Sequence, residues 1–530
     1  MPDKSIQITD DVNSPPKWAT YAFLAAVGVF VYLVLFKLPA TPFFGDADQS
    51  IFLYEAERMF NGDVMYRDFF EFTLPGTQAF YALMFSIFGV HYWIVSATIL
   101  IIGVVTALLL LQISKHILPS PLCFLPATIY IFFGFRWVGL DGSHRSFSPV
   151  FVLLAVWLLL KGKGLQNLAL AGCSLAAASF FTQQRGLVVL AAFITFLFVD
   201  KLFNQEKWTA FIKSTAVISL SFAATLAAMC VYFVVAAGPE NFFYATVIYP
   251  YKFYNYGHPN HFGVYFDELT RVFAITKIKD IFDLAKVLFY SLALPFVNLA
   301  LLSAFLKKHK NVDWTIWRGP VLIAMTGLFL TLSTTAPVMA RLFPISGFAL
   351  IVLVWLFHKF GPSWESKRRF AYASVATLMF FGLFMAIRMQ TNWEVAYLDS
   401  PAGKLAIVVS PQSERYQWLL EHTKPGDYFY EVYEPMAYFP LRLKNPTRFG
   451  QIWPSEYTRP EQVAEAVRDL GEKPPKFILW DNGYLGSGAE HLPGDHTAPL
   501  ADFVRMRYSP IGDIYEMDGK SIQIWEIKAQ

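Results

Sequence analysis

The chain has 530 residues, of which 55% are hydrophobic, 17% aromatic and only 16% charged, with a mean hydropathy of +0.41. That composition excludes a large soluble domain and points to an integral membrane protein. The net charge of +3 over this length gives no basic surface that would call for a nucleic-acid partner.

Apolar stretches that could cross a bilayer, which takes about 20 residues each, run at 18–38, 90–112, 119–136, 147–160, 165–181, 187–200, 211–237, 287–306, 318–333, 338–357 and 369–388. They predict a polytopic α-helical membrane protein with about eleven transmembrane helices. The first stretch is too long for a signal-peptide core, and no A-x-A site precedes the acidic segment after it, so it is expected to stay as a span. Residues 1–390 form the expected membrane domain, with outer loops at 39–89 and 238–286, and residues 391–530 a small extracytoplasmic α/β domain.

Directly after the first span, Phe43–Gly76 packs nine acidic and basic side chains into an otherwise apolar chain. Asp46 and Asp48 stand two apart, immediately before "QSIFLYEAERMF", whose Ile51, Phe52, Tyr54 and Met59 have the spacing of an interfacial helix. In an extended segment alternate side chains share a face, so both carboxylates would point into one cavity. They could serve as a general base, or hold a metal with waters, or simply cap the turn and the helix. No Cys/His cluster has zinc-ligand spacing, and a divalent metal is open but not favoured. No other cofactor is expected. Further along, Arg67 with Asp68 and Glu71 reads as local salt bridging, Tyr66 as a ring for sugar stacking or for the interface, and Pro75-Gly76 as a turn.

Counting spans alternately from a cytoplasmic N-terminus, the inner loops hold Lys4, Lys17, Lys115, Lys161, Lys163, Lys201, Lys207, Lys307, Lys308, Lys310, Lys359, Lys367, Arg368 and Arg369. The short outer loops hold no lysine but carry Arg136, Arg145, Arg185 and Arg341, against the positive-inside rule. A planar guanidinium donates two parallel hydrogen bonds to phosphate, and snorkelling to the interface is the plainer alternative. "DGSHRSFSP" adds His144, a possible donor to phosphate or sugar, although a lone loop histidine is more often solvated. "FFTQQRGL" sets Gln183, Gln184 and Arg185 at the end of a span, where polar groups are costly unless they line a wet cavity. The aromatic "YPYKFYNYGHPNHFGVYF" suits the membrane interface and could also form a lid. Cys123, Cys173 and Cys230 all fall inside apolar spans, so no disulfide is expected outside them. In the tail, "ERYQWLLEHT" and "RPEQVAEAVRDLGE" read as helices, and "GDYFYEVY", "KFILWDN" and "SIQIWEIK" as strands.

"DQSIFLYEAERMFNGDVMYRDFFEFTLPG" resembles the first-loop signature of the GT-C glycosyltransferases. The likeness is to bacterial members grouped with the dolichyl-phosphate-mannose protein mannosyltransferases and the lipid A aminoarabinose transferases. Asp48, Gly62, Tyr66, Arg67, Asp68, Phe69, Pro75 and Gly76 fall in the order of that pattern, and "LTLSTTAPVMARLFPISGFAL" resembles a late segment of it. The chain departs from many relatives in having Gln49 where they carry a second acidic residue. The resemblance implies an inverting transfer of sugar from a polyprenyl-phosphate donor to an outer-face glycan, lipid or protein acceptor, in a bacterial inner membrane. Asp48 is then the expected base, with Asp46 orienting the acceptor or tuning the pair. Arg341, Arg185, Arg145 and His144 are expected at the donor phosphate, and Gln184, Tyr66, Arg67 and Asp68 in the substrate cavity. A transporter or flippase of a lipid-linked sugar would show internal repeats, which are not seen. A cell-wall-binding receptor would leave the paired carboxylates without a role.

Overall fold

The computed structural model describes residues 15–45, 48–135, 139–254, 278–308, 312–334, 338–432, 435–454, 458–482, 495–517 and 520–529, with isolated positions at 263, 266, 270 and 336. Asp46, Arg136 and part of the aromatic outer loop lie outside them.

Eight helices among the described residues are long and apolar enough to cross a membrane: Lys17–Leu35, Trp93–Lys115, His144–Lys161, Gln183–Asn204, Trp208–Ala237, Leu284–Lys308, Trp314–Leu332 and Trp364–Asn392. A bent pair, Met339–Ile345 and Gly347–Phe360, meets at 65°, and two shorter apolar helices cover Leu122–Phe135 and Leu165–Phe181. Each apolar stretch read from the sequence thus has its helix. The break in the bent pair sets Arg341 at the mouth of the bundle instead of inside a continuous span.

Small residues let these helices approach closely. A Cβ on Gly172 would fall 2.4 Å from the Ile218 carbonyl oxygen, and one on Gly186 would fall 2.0 Å from that of Leu175. At the bundle end away from the first loop, Asp200 is fully buried and gathers Lys163 (2.7 Å), Arg318 (3.2 Å) and the Trp314 indole N–H (2.6 Å). The two cations pair with a carboxylate that would be costly to bury alone.

The first loop is built from two 13-residue helices, Asp48–Phe60 (the acidic helix) and Gly76–Phe88, packed on each other. The tail contains a hairpin, Val395–Ser400 with Gly403–Val408, and a four-stranded sheet. In that sheet Phe429–Glu431 runs parallel to Phe477–Asp481, and Lys520–Ile527 and Tyr508–Met517 add antiparallel strands. Helices Pro411–His422, Pro460–Glu472 and Ala498–Arg507 accompany them, giving the small α/β unit. The tail docks through backbone bonds on the first loop, Phe44 N–H to Ala406 O (2.8 Å) and Phe70 N–H to Arg448 O (2.9 Å), and just beyond it, Tyr92 N–H to Ala402 O (2.9 Å).

Candidate active site

The first loop, the Thr182–Arg185 turn, the bent pair and the tail enclose a cavity of about 340 Å³, within the size range of small-molecule sites. The acidic helix presents Asp48, Ile51, Phe52 and Glu55 to it, at the i, i+3, i+4, i+7 spacing of one helical face. Asp48 is the first residue of that helix, and its carboxylate forms an ion pair with Arg145.

Arg145, Arg185, Arg341, His144 and Gln184 line the same cavity. The structure therefore gathers Asp48 and three of the four outer arginines, which the sequence spreads over nearly 300 positions, around one space. Arg185 is buried and anchored by donating to Arg145 O and Ser148 Oγ, both at 2.8 Å. His144 Nδ1 lies 3.0 Å from Thr182 Oγ1, and all three guanidinium groups are near enough to act on its charge. Gln183 joins the turn to the first loop, donating to Phe72 O (2.8 Å). Gly76 lets the first loop approach the end of the Leu165–Phe181 helix, because a Cβ there would fall 2.5 Å from the Phe180 carbonyl oxygen.

Tyr66, Arg67 and Asp68 do not line the cavity, contrary to the expectation from the sequence. They build a turn instead. Tyr66 takes a positive φ of 72° and donates its buried hydroxyl to Thr73 O (2.7 Å). Asp68 accepts the Val64 N–H (2.7 Å) and pairs with the exposed Arg67 (2.7 Å). That turn delivers Phe70, Glu71, Phe72 and Thr73 to the cavity wall. Gln49 is also absent from the lining. Its buried amide donates to Gly45 O (2.8 Å) and Tyr92 Oη (3.0 Å) and accepts the Gly142 N–H (3.0 Å). A carboxylate at position 49 would lose both donors, so glutamine suits this packing.

Two residues in the wall were missed or misread in the sequence. Glu55 sits two turns beyond Asp48 on the same helical face, a relation the 3.6-residue period contains. Glu71, expected in local salt bridging, turns its carboxyl to that of Glu55. Burial lifts both carboxyls above their usual range, that of Glu55 strongly. From the tail, Gly450, Gln451, Trp453, Thr458 and Gln462 close the cavity, and Tyr249, Pro250 and Tyr254 add a further side. Among the described residues no group of three His, Cys, Asp or Glu side chains is placed to hold a metal ion.

No protein-family model and no curated protein matches the sequence. Solved structures do. The chain is similar to ArnT from Cupriavidus metallidurans bound to undecaprenyl phosphate, at 10% identity and a TM-score of 0.59, over 96% of this chain and 98% of that one. The apo state of the same protein matches at 11% identity and a TM-score of 0.56, with the same coverage. The apo oligosaccharyltransferase of Archaeoglobus fulgidus matches at 11% identity and a TM-score of 0.50, over 88% of this chain and 70% of that one. These likenesses establish architecture: the chain shares its fold, GT-C, with ArnT and the archaeal oligosaccharyltransferase.

Proposed function

We propose that this protein is an inverting glycosyltransferase that moves a sugar from a polyprenyl-phosphate donor to an acceptor hydroxyl at the outer face of a bacterial inner membrane. The observation that carries this reading is the convergence of Asp48 with Arg145, Arg185 and Arg341 on one cavity at the bundle mouth. The acceptor oxygen attacks the anomeric carbon from the face opposite the phosphate, and a new C–O bond forms. The bond from that carbon to the phosphate oxygen breaks, and its electron pair leaves with the phosphate. Three guanidinium groups fixed in advance stabilise the charge that develops there. Asp48 takes the acceptor proton, and its ion pair with Arg145 couples the proton acceptor to the phosphate end.

Undecaprenyl phosphate bound to the similarly folded ArnT supports a polyprenyl donor. On this reading the N-terminus is cytoplasmic, residues 1–390 bind the donor, and residues 391–530 close the cavity over the acceptor from outside. The test is incubation of purified protein in lipid with polyprenyl-phosphate sugars of defined anomeric configuration and a crude envelope extract as acceptor source. Product of opposite configuration supports the proposal, and product of retained configuration overturns the single-displacement chemistry.

A further inference from the structure

The cavity has two chemically different ends. Arginines and His144 crowd around Asp48. About 10 Å along the acidic helix, seven residues at a rise of 1.5 Å each, Glu55 meets Glu71 in the opposing wall. Both carboxyls are more than nine-tenths buried and near enough to act on each other's charge, and burial favours their protonated forms, that of Glu55 most. Glu71 Oε1 accepts the N–H groups of Phe72 (2.7 Å) and Thr73 (2.9 Å), which favour its ionised form. Gln78, itself buried, donates to Glu55 Oε2 at 2.8 Å and so fixes that carboxyl from behind.

The surroundings point to a ligand. Thr73 lines the cavity, is nine-tenths buried, and its hydroxyl lies beside Glu71 without a well-formed hydrogen bond. A methyl group on Gly450 would come 3.8 Å from Glu55 Oε1, so the tail's Gly450–Gln451 segment borders this end. Phe72 packs on Tyr254 (4.4 Å between centroids) and Phe70 on Tyr249 (4.8 Å), which gives flat aromatic faces nearby. Sugar hydroxyls both donate and accept, and so match a buried carboxyl pair, a threonine and a glutamine. The C–H face of a sugar ring packs on aromatic surface. A second anion would be repelled by the charge on the pair, and an apolar ligand would leave it unsolvated.

We propose that Glu55 and Glu71, with Thr73, form a subsite for a neutral, polyhydroxylated sugar ring. The inference rests on the reading above for the phosphate at the arginine end. The ring is either the one carried by the donor or one belonging to a saccharide acceptor.

The full-length protein in nanodiscs is titrated with undecaprenyl phosphate, with its glucosyl, galactosyl, mannosyl and glucuronosyl derivatives, and with the free methyl glycosides of the three neutral hexoses. At least one neutral sugar is expected to bind, either as a lipid-linked sugar at least tenfold tighter than the bare lipid phosphate or as a free methyl glycoside. Glu55→Gln and Glu71→Gln are expected to abolish that binding while leaving affinity for bare undecaprenyl phosphate unchanged, and Thr73→Val is expected to weaken it several-fold. Loss confined to the lipid-linked sugars assigns the ring to the donor, and loss confined to the free glycosides assigns it to the acceptor. The subsite is overturned if no neutral sugar binds, if the glucuronosyl lipid binds as tightly as the neutral ones, or if sugar binding survives in both glutamine variants. Should a glutamine variant fail to bind the bare lipid, unchanged sugar binding in Thr73→Val overturns the subsite. Sugar binding that depends on Glu55 and Glu71, without transfer from any donor, would uphold the subsite and refute the transferase reading. Transfer with wild-type KM in both glutamine variants would do the reverse.

Discussion

Glu57 faces Arg442 across the seam between the acidic helix and the tail, Oε1 to Nη1 at 2.8 Å, yet burial outweighs the guanidinium and lifts its pKa to about 6. Because the folded-state value lies above the ordinary 4.5, the protonated form stabilises the seam. That contribution is complete below about pH 4.5, declines as pH rises and is lost above about pH 6, a span worth about 2 kcal/mol. The Asn445 N–H, which donates to Tyr54 Oη at 2.8 Å in the same seam, reports it by hydrogen exchange. Its protection, corrected for intrinsic rate, should fall between pH 4.5 and 6.5 in the wild type and stay level in Glu57→Gln. Equal profiles in the two proteins would remove Glu57 from the seam's energetics. Residues at this scale were unevenly legible. Asp48 and the arginines stood out because charge is rare in this chain, whereas Glu71 did not, since its partner lies 16 positions away. The Tyr66-Arg67-Asp68 motif was visible, and of its two readings the local salt bridge of Arg67 and Asp68 is present while the place in the cavity wall is not, because a motif marks a required shape as readily as a contact with substrate.

At the scale of elements, runs of some 20 apolar residues carried the spans plainly, because lipid demands them. The 65° break before Gly347 was hidden, since both halves are apolar and hydropathy does not report direction. The tail hairpin was missed because Val395–Val408 continues the apolar character of the preceding span. Close helix contacts give a direct test. Gly186 follows Arg185, and an added methyl would strike Leu175 O and Ser179 Oγ (2.4 Å). Gly186→Ala should lower stability by about 1–3 kcal/mol and weaken undecaprenyl phosphate binding about tenfold through the displaced Arg185. Gly164→Ala, with nothing within 4 Å, serves as control and should stay within about 0.5 kcal/mol of wild type. Thermal unfolding with and without the lipid reads both effects, and matching behaviour in the two variants would separate Arg185 from the lipid site.

At the scale of the molecule, one end of the bundle collects the first loop, the arginines and the tail, while the other holds the network of Lys163, Asp200 and Arg318. The proposed orientation places the tail outside. A single cysteine at Ser410, in a background lacking Cys123, Cys173 and Cys230, should react with an impermeant maleimide in spheroplasts. One at Lys207 should react only after permeabilisation, and the opposite pattern would invert the topology. Whether Asp48 acts in a glycosyl transfer is tested by transfer of radiolabelled sugar from a panel of polyprenyl-phosphate sugars by purified protein in lipid, comparing wild type with Asp48→Asn. The wild type is expected to transfer sugar, and Asp48→Asn to lose about a hundredfold or more of that activity with donor binding retained. Equal transfer by both proteins, or donor binding with no transfer by either, would contradict that role.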